Sequence, residues 1–249
     1  MKILLYILVG FIAQMIDGTI GMAYGVTCRT FLATFVKVPS KVVSAVVHYA
    51  EIPTSFSSMI AHIKYKNINK RMFFQLLTTG IIGSVIGAYL ITINFDWIEI
   101  IVDIYLIIIG LLILFKALLP QKKKINIENK WYIYTLGFIG SFFDASGGGG
   151  YGPIVTGTLV SSSNKPKKVI GTVNSSEFFI TVASSITFIL LIANIKQYVT
   201  IIIGLIIGGV IASPIAAKLC LKISEKKLLF ATGTMLVILN IYNIINYIK

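Results

Sequence analysis

Two stretches of this 249-residue chain read as one: 10-GFIAQMIDGTIGMAYG-25 and 137-GFIGSFFDASGGGGYG-152. Aligned without a gap, seven of sixteen positions are identical: Gly10/Gly137, Phe11/Phe138, Ile12/Ile139, Asp17/Asp144, Gly21/Gly148, Tyr24/Tyr151 and Gly25/Gly152. The likeness continues downstream, where 46-VVHYAE-51 matches 172-TVNSSE-177 and 83-GSVIGA-88 matches 208-GGVIAS-213. The chain is therefore a duplication, with a first repeat over 1–120, a basic connector over 121–130 and a second repeat over 131–249.

The surroundings of these stretches decide the class. Hydrophobic residues make up 56% of the chain and charged residues 12%, where soluble domains carry about 25% charged. A soluble enzyme, a secreted disulfide scaffold and a disordered chain are excluded, and an integral membrane protein remains. No period-2 alternation marks an outer-membrane barrel, so the expected class is all-α and polytopic. The first apolar stretch runs on to Asp17 without a small-residue cleavage site, so it reads as a retained helix rather than a removed signal. Two cysteines give no disulfide framework. The net charge of +13 sits in short connectors between apolar runs, as expected of charge that orients membrane helices rather than charge that binds nucleic acid.

Each repeat opens with one long interrupted run (3–36 and 131–163), followed by three plain runs (42–63, 72–93, 97–119; then 168–194, 198–219, 227–248). A helix of 34 residues would be about 50 Å long, too long for an apolar core of about 30 Å, and the glycines at its centre predict a break. A hairpin at each break leaves three further crossings per repeat, so the two repeats are inverted relative to each other. Sixteen of the 22 basic residues then fall on one side and five on the other, with Arg29 inside the membrane. A single bent crossing would split them about twelve to nine. The hairpin arrangement is the expected one, with the basic side cytoplasmic and both termini outside.

Four of the nine acidic residues form two repeat-related pairs inside apolar runs: Asp17 with Asp144, and Glu51 with Glu177. A carboxylate at the bilayer centre costs about 2.5–3.5 kcal/mol on insertion scales, so four would cost roughly 10–14 kcal/mol, comparable with a whole fold. Such groups persist when protonated, paired or lining a wet cavity; for the two aspartates, capping of broken-helix backbone is an open alternative. The helix after each hairpin carries a polar stripe: His48, Glu51, Ser55, Ser58, His62 in one repeat, and Asn174, Glu177, Thr181, Ser184 in the other, ending at Phe188. Spacings of 3 and 4 put each stripe on one face. Ser58 and Ser184 also fit simple helix–helix glue. Glycine breaks leave unpaired N–H groups, and helix N-termini there suit anions. Arg29 has threonine at its counterpart near 156; it could neutralise an aspartate, snorkel to the surface or attract an anion.

At these residues the sequence resembles the TauE/SafE family of sulfite and sulfonate transporters. The matching positions are Asp17, Gly21, Tyr24, Gly25, His48 and Glu51, with Asp144, Gly148, Gly149, Gly150, Asn174 and Glu177. The family pattern often has a small residue and alanine before the second glutamate. Ser175 and Ser176 stand there instead, a departure that bears on substrate preference. The resemblance implies a duplicated multi-pass cell-membrane protein that moves a small sulfur oxyanion or organosulfonate with proton coupling. On that reading His48, Ser55, Ser146, Gly148, Gly149, Gly150, Asn174 and Thr181 would hold the anion. Asp17, Glu51, Asp144 and Glu177 would load and release protons. The partners are the anion and the lipid bilayer, a homodimer is allowed, and no cofactor or resident metal is expected. The alternative is a Na⁺ or Ca²⁺ transporter using the paired carboxylates. An intramembrane aspartyl hydrolase would need Asp17 and Asp144 as a dyad, but duplication already accounts for their symmetry. No GxxxxGK[ST] loop is present.

Overall fold

A computed structural model describes residues 2–93, 98–118, 129–162, 165–192, 195–220 and 225–248. All described secondary structure is helical. In chain order the helices are α1 (Lys2–Ile20), α2 (Tyr24–Phe31) running into a π-turn (Leu32–Val36), α3 (Ser40–Lys64), α4 (Lys70–Thr92), α5 (Ile98–Leu118) and α6 (Lys130–Gly147). The second half continues through a π-turn (Gly152–Thr156) into α7 (Gly157–Ser162), then α8 (Pro166–Leu191), a short 3-10 turn (Ile195–Tyr198), α9 (Val199–Leu219) and α10 (Glu225–Ile248). The plain runs read from the sequence match α3, α4, α5, α8, α9 and α10 to within a few residues. Most of the connector over 121–130, including Lys122, Lys123 and Lys124, lies outside the described residues, as do Lys222 and Lys249.

Local chemistry sets the helix starts. Asn69 accepts from Met72 N at 3.3 Å and Asn129 from Trp131 N at 3.1 Å, each covering a donor that the first turn leaves unpaired. Pro166 occupies the first turn of α8, where its missing N–H costs nothing.

Six helices among the described residues are long and apolar enough to cross a membrane, within α1, α4, α5, α8, α10 and the segment Ile195–Leu219. They differ from the six plain runs in one respect. The first limb of the interrupted run, α1, qualifies by itself, whereas α3 does not, because its 25 residues carry the polar stripe. Apolar side chains such as Leu4, Leu8, Ile82, Ile86, Ile108, Ile203, Ile211 and Ile238 face outward, as expected where lipid is the solvent.

Packing pairs each half with the other. Helix α1 lies along α9, and α6 along α4, through glycine seams. A Cβ on Gly10 would stand 2.8 Å from Leu205 Cα, and one on Gly137 3.2 Å from Leu76 Cα; with such close backbones, dispersion replaces the absent hydrophobic drive. Contacts fix the directions. Tyr6 meets Gly204 and Gly18 meets Ala216, so α1 and α9 are parallel; Leu76 meets Gly137 and Gly87 meets Phe142, so α4 and α6 are parallel. Asn69 meets Thr172 and Ser84 meets Ile180, making α4 and α8 parallel. The equivalent helices α3 and α8 are antiparallel, since Ser58 meets Asn174 and Glu51 meets Thr181. Because α6 and α8 both run parallel to α4, the segment between them must turn back, as a hairpin does. The lysine-bearing ends of α3, α9 and α5 then gather with the starts of α4, α6, α8 and α10.

Candidate functional site

The interrupted runs break where the glycines stand. After α1, Gly21 takes φ +76° and Ala23 φ 101°; after α6, Gly148, Gly149 and Gly150 take φ +69°, +154° and +155°. Each break is tied by the aspartate one turn before it. Asp17 Oδ1 accepts from Tyr24 N at 3.4 Å and Asp144 Oδ1 from Tyr151 N at 3.1 Å, so each carboxylate caps the start of the returning limb. The capping reading of the two aspartates is thus met by geometry in both halves. The breaks also meet one another. A Cβ on Gly25 would stand 2.8 Å from Gly149 Cα, and one on Gly152 2.5 Å from Met22 Cα, the same contact seen from either half.

The second oxygen of each aspartate reaches across to the stripe of the other half. Asp144 Oδ2 lies 3.3 Å from His48 Nε2, and Asp17 Oδ2 accepts from Asn174 Nδ2 at 3.3 Å; His48 and Asn174 are repeat equivalents. Asn174 also donates to Ser58 Oγ at 3.2 Å, and Thr181 Oγ1 donates to Glu51 Oε2 at 3.4 Å. His48 Nδ1 sits 2.8 Å from the carbonyl of Ser44, which can only accept, so Nδ1 carries a proton. The Nε2–Oδ2 contact is then favourable only with a further proton on one of the two atoms. Glu51 and Glu177 stand within electrostatic reach of both aspartates, and all four carboxyls are buried.

The structure gathers Asp17, Glu51, Asp144, Glu177, His48, Asn174, Thr181 and the glycine apex into this region, while the hydroxyls of two predicted residues bond within their own helices. The hydroxyl of Ser146 turns back to Phe142 O at 2.8 Å. Its side lines an apolar groove of about 250 Å³ with Leu90, Val102 and Phe143. Ser55 donates to Glu51 O at 2.6 Å within its own helix. Arg29 is 1% exposed and donates to Ser40 Oγ at 2.5 Å, so the snorkelling alternative is wrong: the side chain stays inside, its Cδ next to Gly148.

Some contacts had no signal in the stripe pattern. Ser44 donates to Ala145 O at 2.7 Å across the halves, and Tyr151 pairs with Ser176 at 3.0 Å. From α5, Tyr105 donates to Gly149 O at 3.2 Å and Lys116 to Pro153 O at 3.0 Å, so both hold the second hairpin. Lys116 is thereby turned inward rather than serving as a surface charge. His48, Glu51 and Asp144 could converge on a cation, with one ligand atom each within 4.8 Å of the others. Ca²⁺ takes about six to eight oxygen ligands, and this trio offers two carboxylates and one imidazole nitrogen.

The sequence model of the family described as "Sulfite exporter TauE/SafE" matches residues 6–243. A protein of Bacillus subtilis (strain 168), named "Probable membrane transporter protein YtnM", is 35% identical over 252 residues, covering 98% of this chain and 83% of that protein. No solved structure matches.

Proposed function

The chain belongs to the TauE/SafE sulfite exporter family of multi-pass cell-membrane transporters, and from that premise we propose that it moves a sulfite-like sulfur oxyanion or organosulfonate with proton coupling. The observation that carries this reading is the reciprocal link at the centre. Each aspartate caps its own hairpin and contacts a stripe residue of the other half, so movement of one half relative to the other must remake the shared contacts. Antiparallel packing of the equivalent helices α3 and α8 supports inverted halves, an arrangement in which secondary transporters bind at the midplane.

The cluster also explains why protons would accompany an anion. Four buried carboxylates repel a negative guest, and in a medium of low dielectric that repulsion amounts to several kcal/mol. Protons on Asp17, Glu51, Glu177 and the His48–Asp144 pair remove it, leaving Asn174, Thr181, protonated His48 and the N–H groups of the glycine apex to hold the oxyanion. Loss of those protons restores the repulsion and expels the guest. Every member of the cluster is at most 6% exposed, which corresponds to an occluded stage of such a cycle.

The test is an uptake screen of labelled sulfite, thiosulfate and small sulfonates into proteoliposomes under imposed pH gradients, with Glu51→Gln and Glu177→Gln alongside. Sulfite-class uptake driven by the gradient in the wild type, lost in both variants, is the expected result. Unchanged flux in both variants refutes the proton role, and gradient-independent uptake of Ca²⁺ or Na⁺ alone refutes the anion.

A further inference from the structure

The match between the two halves fails at one stripe position: where the first carries His62, the second carries Phe188. His62 is fully buried. Its Nδ1 lies 3.3 Å from Asn67 Nδ2 in the α3–α4 connection, and its Nε2 has no hydrogen-bond partner. A buried ring nitrogen without a partner is costly and marks a group kept for something other than packing. One turn inward, Ser58 accepts from Asn174, which also donates to Asp17. Polar side chains therefore succeed one another from Asp17 through Asn174, Ser58 and His62 to Asn67, at the lysine-rich end of the bundle.

The equivalent line toward the opposite end is apolar. There the ring of Phe188 stands edge-on to His48 at 5.4 Å. It belongs to an apolar cluster with Ala45, against which Ile192 and Ile195 pack. Ser184, between them, is turned to the carbonyls of Ile180 and Thr181.

We propose that His62, gated by Asn67, is the proton route between the buried carboxyls and the lysine-rich end, and that Phe188 seals the matching route to the other end. The inference rests on the proton coupling proposed above. With Asn67 donating to Nδ1, the ring proton sits on Nε2. A proton arriving from the lysine-rich end bonds to Nδ1 as Asn67 releases it. The ring then turns Nε2–H onto Ser58 Oγ, which takes that proton and passes its own hydroxyl proton to the carboxylate of Asp17, Asn174 holding the two in place without relaying. One N–H forms, one is lost, and the acid gains an O–H, with no change of oxidation state. The charged and titratable groups bordering the route are Asp17 of α1, Glu51 of α3 and Glu177 of α8 at its inner end. Its outer end lies among exposed basic side chains, including Lys64 and Lys66 at the close of α3, Lys70 and Arg71 of α4, Lys168 of α8 and Lys218 of α9.

The experiment follows carboxyl protonation directly, by the infrared C=O band of the full chain in proteoliposomes after a rapid pH jump. Parallel vesicles report labelled sulfite uptake. His62→Phe should slow protonation at least tenfold, and Phe188→His, which opens a second route, should raise passive proton flux severalfold. Wild-type protonation rates in His62→Phe overturn the route; should that variant not fold, an unchanged flux in Phe188→His overturns it alone. The infrared readout uses no sulfite. A wild type that moves no sulfite yet protonates through His62 upholds the route and defeats the substrate reading. Gradient-driven sulfite uptake with both variants behaving as wild type does the reverse.

Discussion

Replacement of Gly149 by alanine is the sharpest probe of the contact between the two hairpins. Its φ of +154° belongs to a region that side chains scarcely enter, at a cost of about 1–3 kcal/mol. The new Cβ would also stand 2.5 Å from the carbonyl carbon of Gly25 and 2.8 Å from Val26 Cα. These are backbone atoms of the opposing break, unable to rotate aside, and such overpacking costs about 1–3 kcal/mol more. The total is about 2–6 kcal/mol. Gly148, its neighbour, is the control. At φ +69° it pays a left-handed cost of about 1–2 kcal/mol, and its nearest new neighbour is the flexible Cδ of Arg29 at 3.0 Å. At about 2–4 °C per kcal/mol for a chain of this size, Gly149→Ala should melt about 4–24 °C below wild type and Gly148→Ala about 2–8 °C below. Thermal unfolding of purified protein in detergent, followed by intrinsic fluorescence, reads both. Equal melting of the two variants, or a Gly149→Ala protein as stable as wild type, would refute backbone contact between the halves at this point.

Three further outcomes follow from the same geometry. Asp144→Asn keeps an oxygen for the Tyr151 N–H but offers His48 no carboxylate, so melting should stay within about 1 kcal/mol of wild type, whereas Asp144→Ala, which removes the cap, should lose about 0.5–2 kcal/mol; proteoliposome assays should show gradient-driven uptake at least tenfold down in both. Ala23→Gly relieves a residue held at φ 101°, a gain of about 1–3 kcal/mol less about 0.4–1 kcal/mol for the freer unfolded chain, and thermal scans should show a higher melting temperature. In the α1–α9 seam a Cβ on Gly208 would meet Phe11 N at 2.6 Å, so Gly208→Leu should unfold the protein or lower its melting by 5 °C or more, about 2 kcal/mol on the same scale, while Ile207→Leu on the lipid side should change little.

Much of this arrangement was legible because duplication writes each constraint twice. The paired Asp17 and Asp144, a fixed distance before Tyr24 and Tyr151, became matched caps. The stripe spacing put His48 and Glu51 on one face of their helix and Asn174 and Thr181 on one face of theirs, and the structure shows Glu51 meeting Thr181 between them. What repetition cannot reveal is which way a small polar side chain turns. Ser146 and Ser55 sit beside the right residues yet bond to their own helices, as hydroxyls in apolar surroundings do when a carbonyl four residues back is free to accept. Residues that occur in one half only were equally hidden. Tyr105 and Lys116 grip the second hairpin from α5. The single apolar substitution at Phe188 was visible as the end of a stripe, but its meaning required seeing its ring against His48.

The central claim is that two like halves lie in the membrane with opposite orientation. Lys41 and Lys168 lie in the first turns of the equivalent helices α3 and α8, so single cysteines there, in a chain whose Cys28 and Cys220 are replaced, report on that claim directly. Labelling intact cells with a membrane-impermeant maleimide should modify Lys41→Cys at once and Lys168→Cys only after permeabilisation. Equal labelling of both from the same side would contradict it.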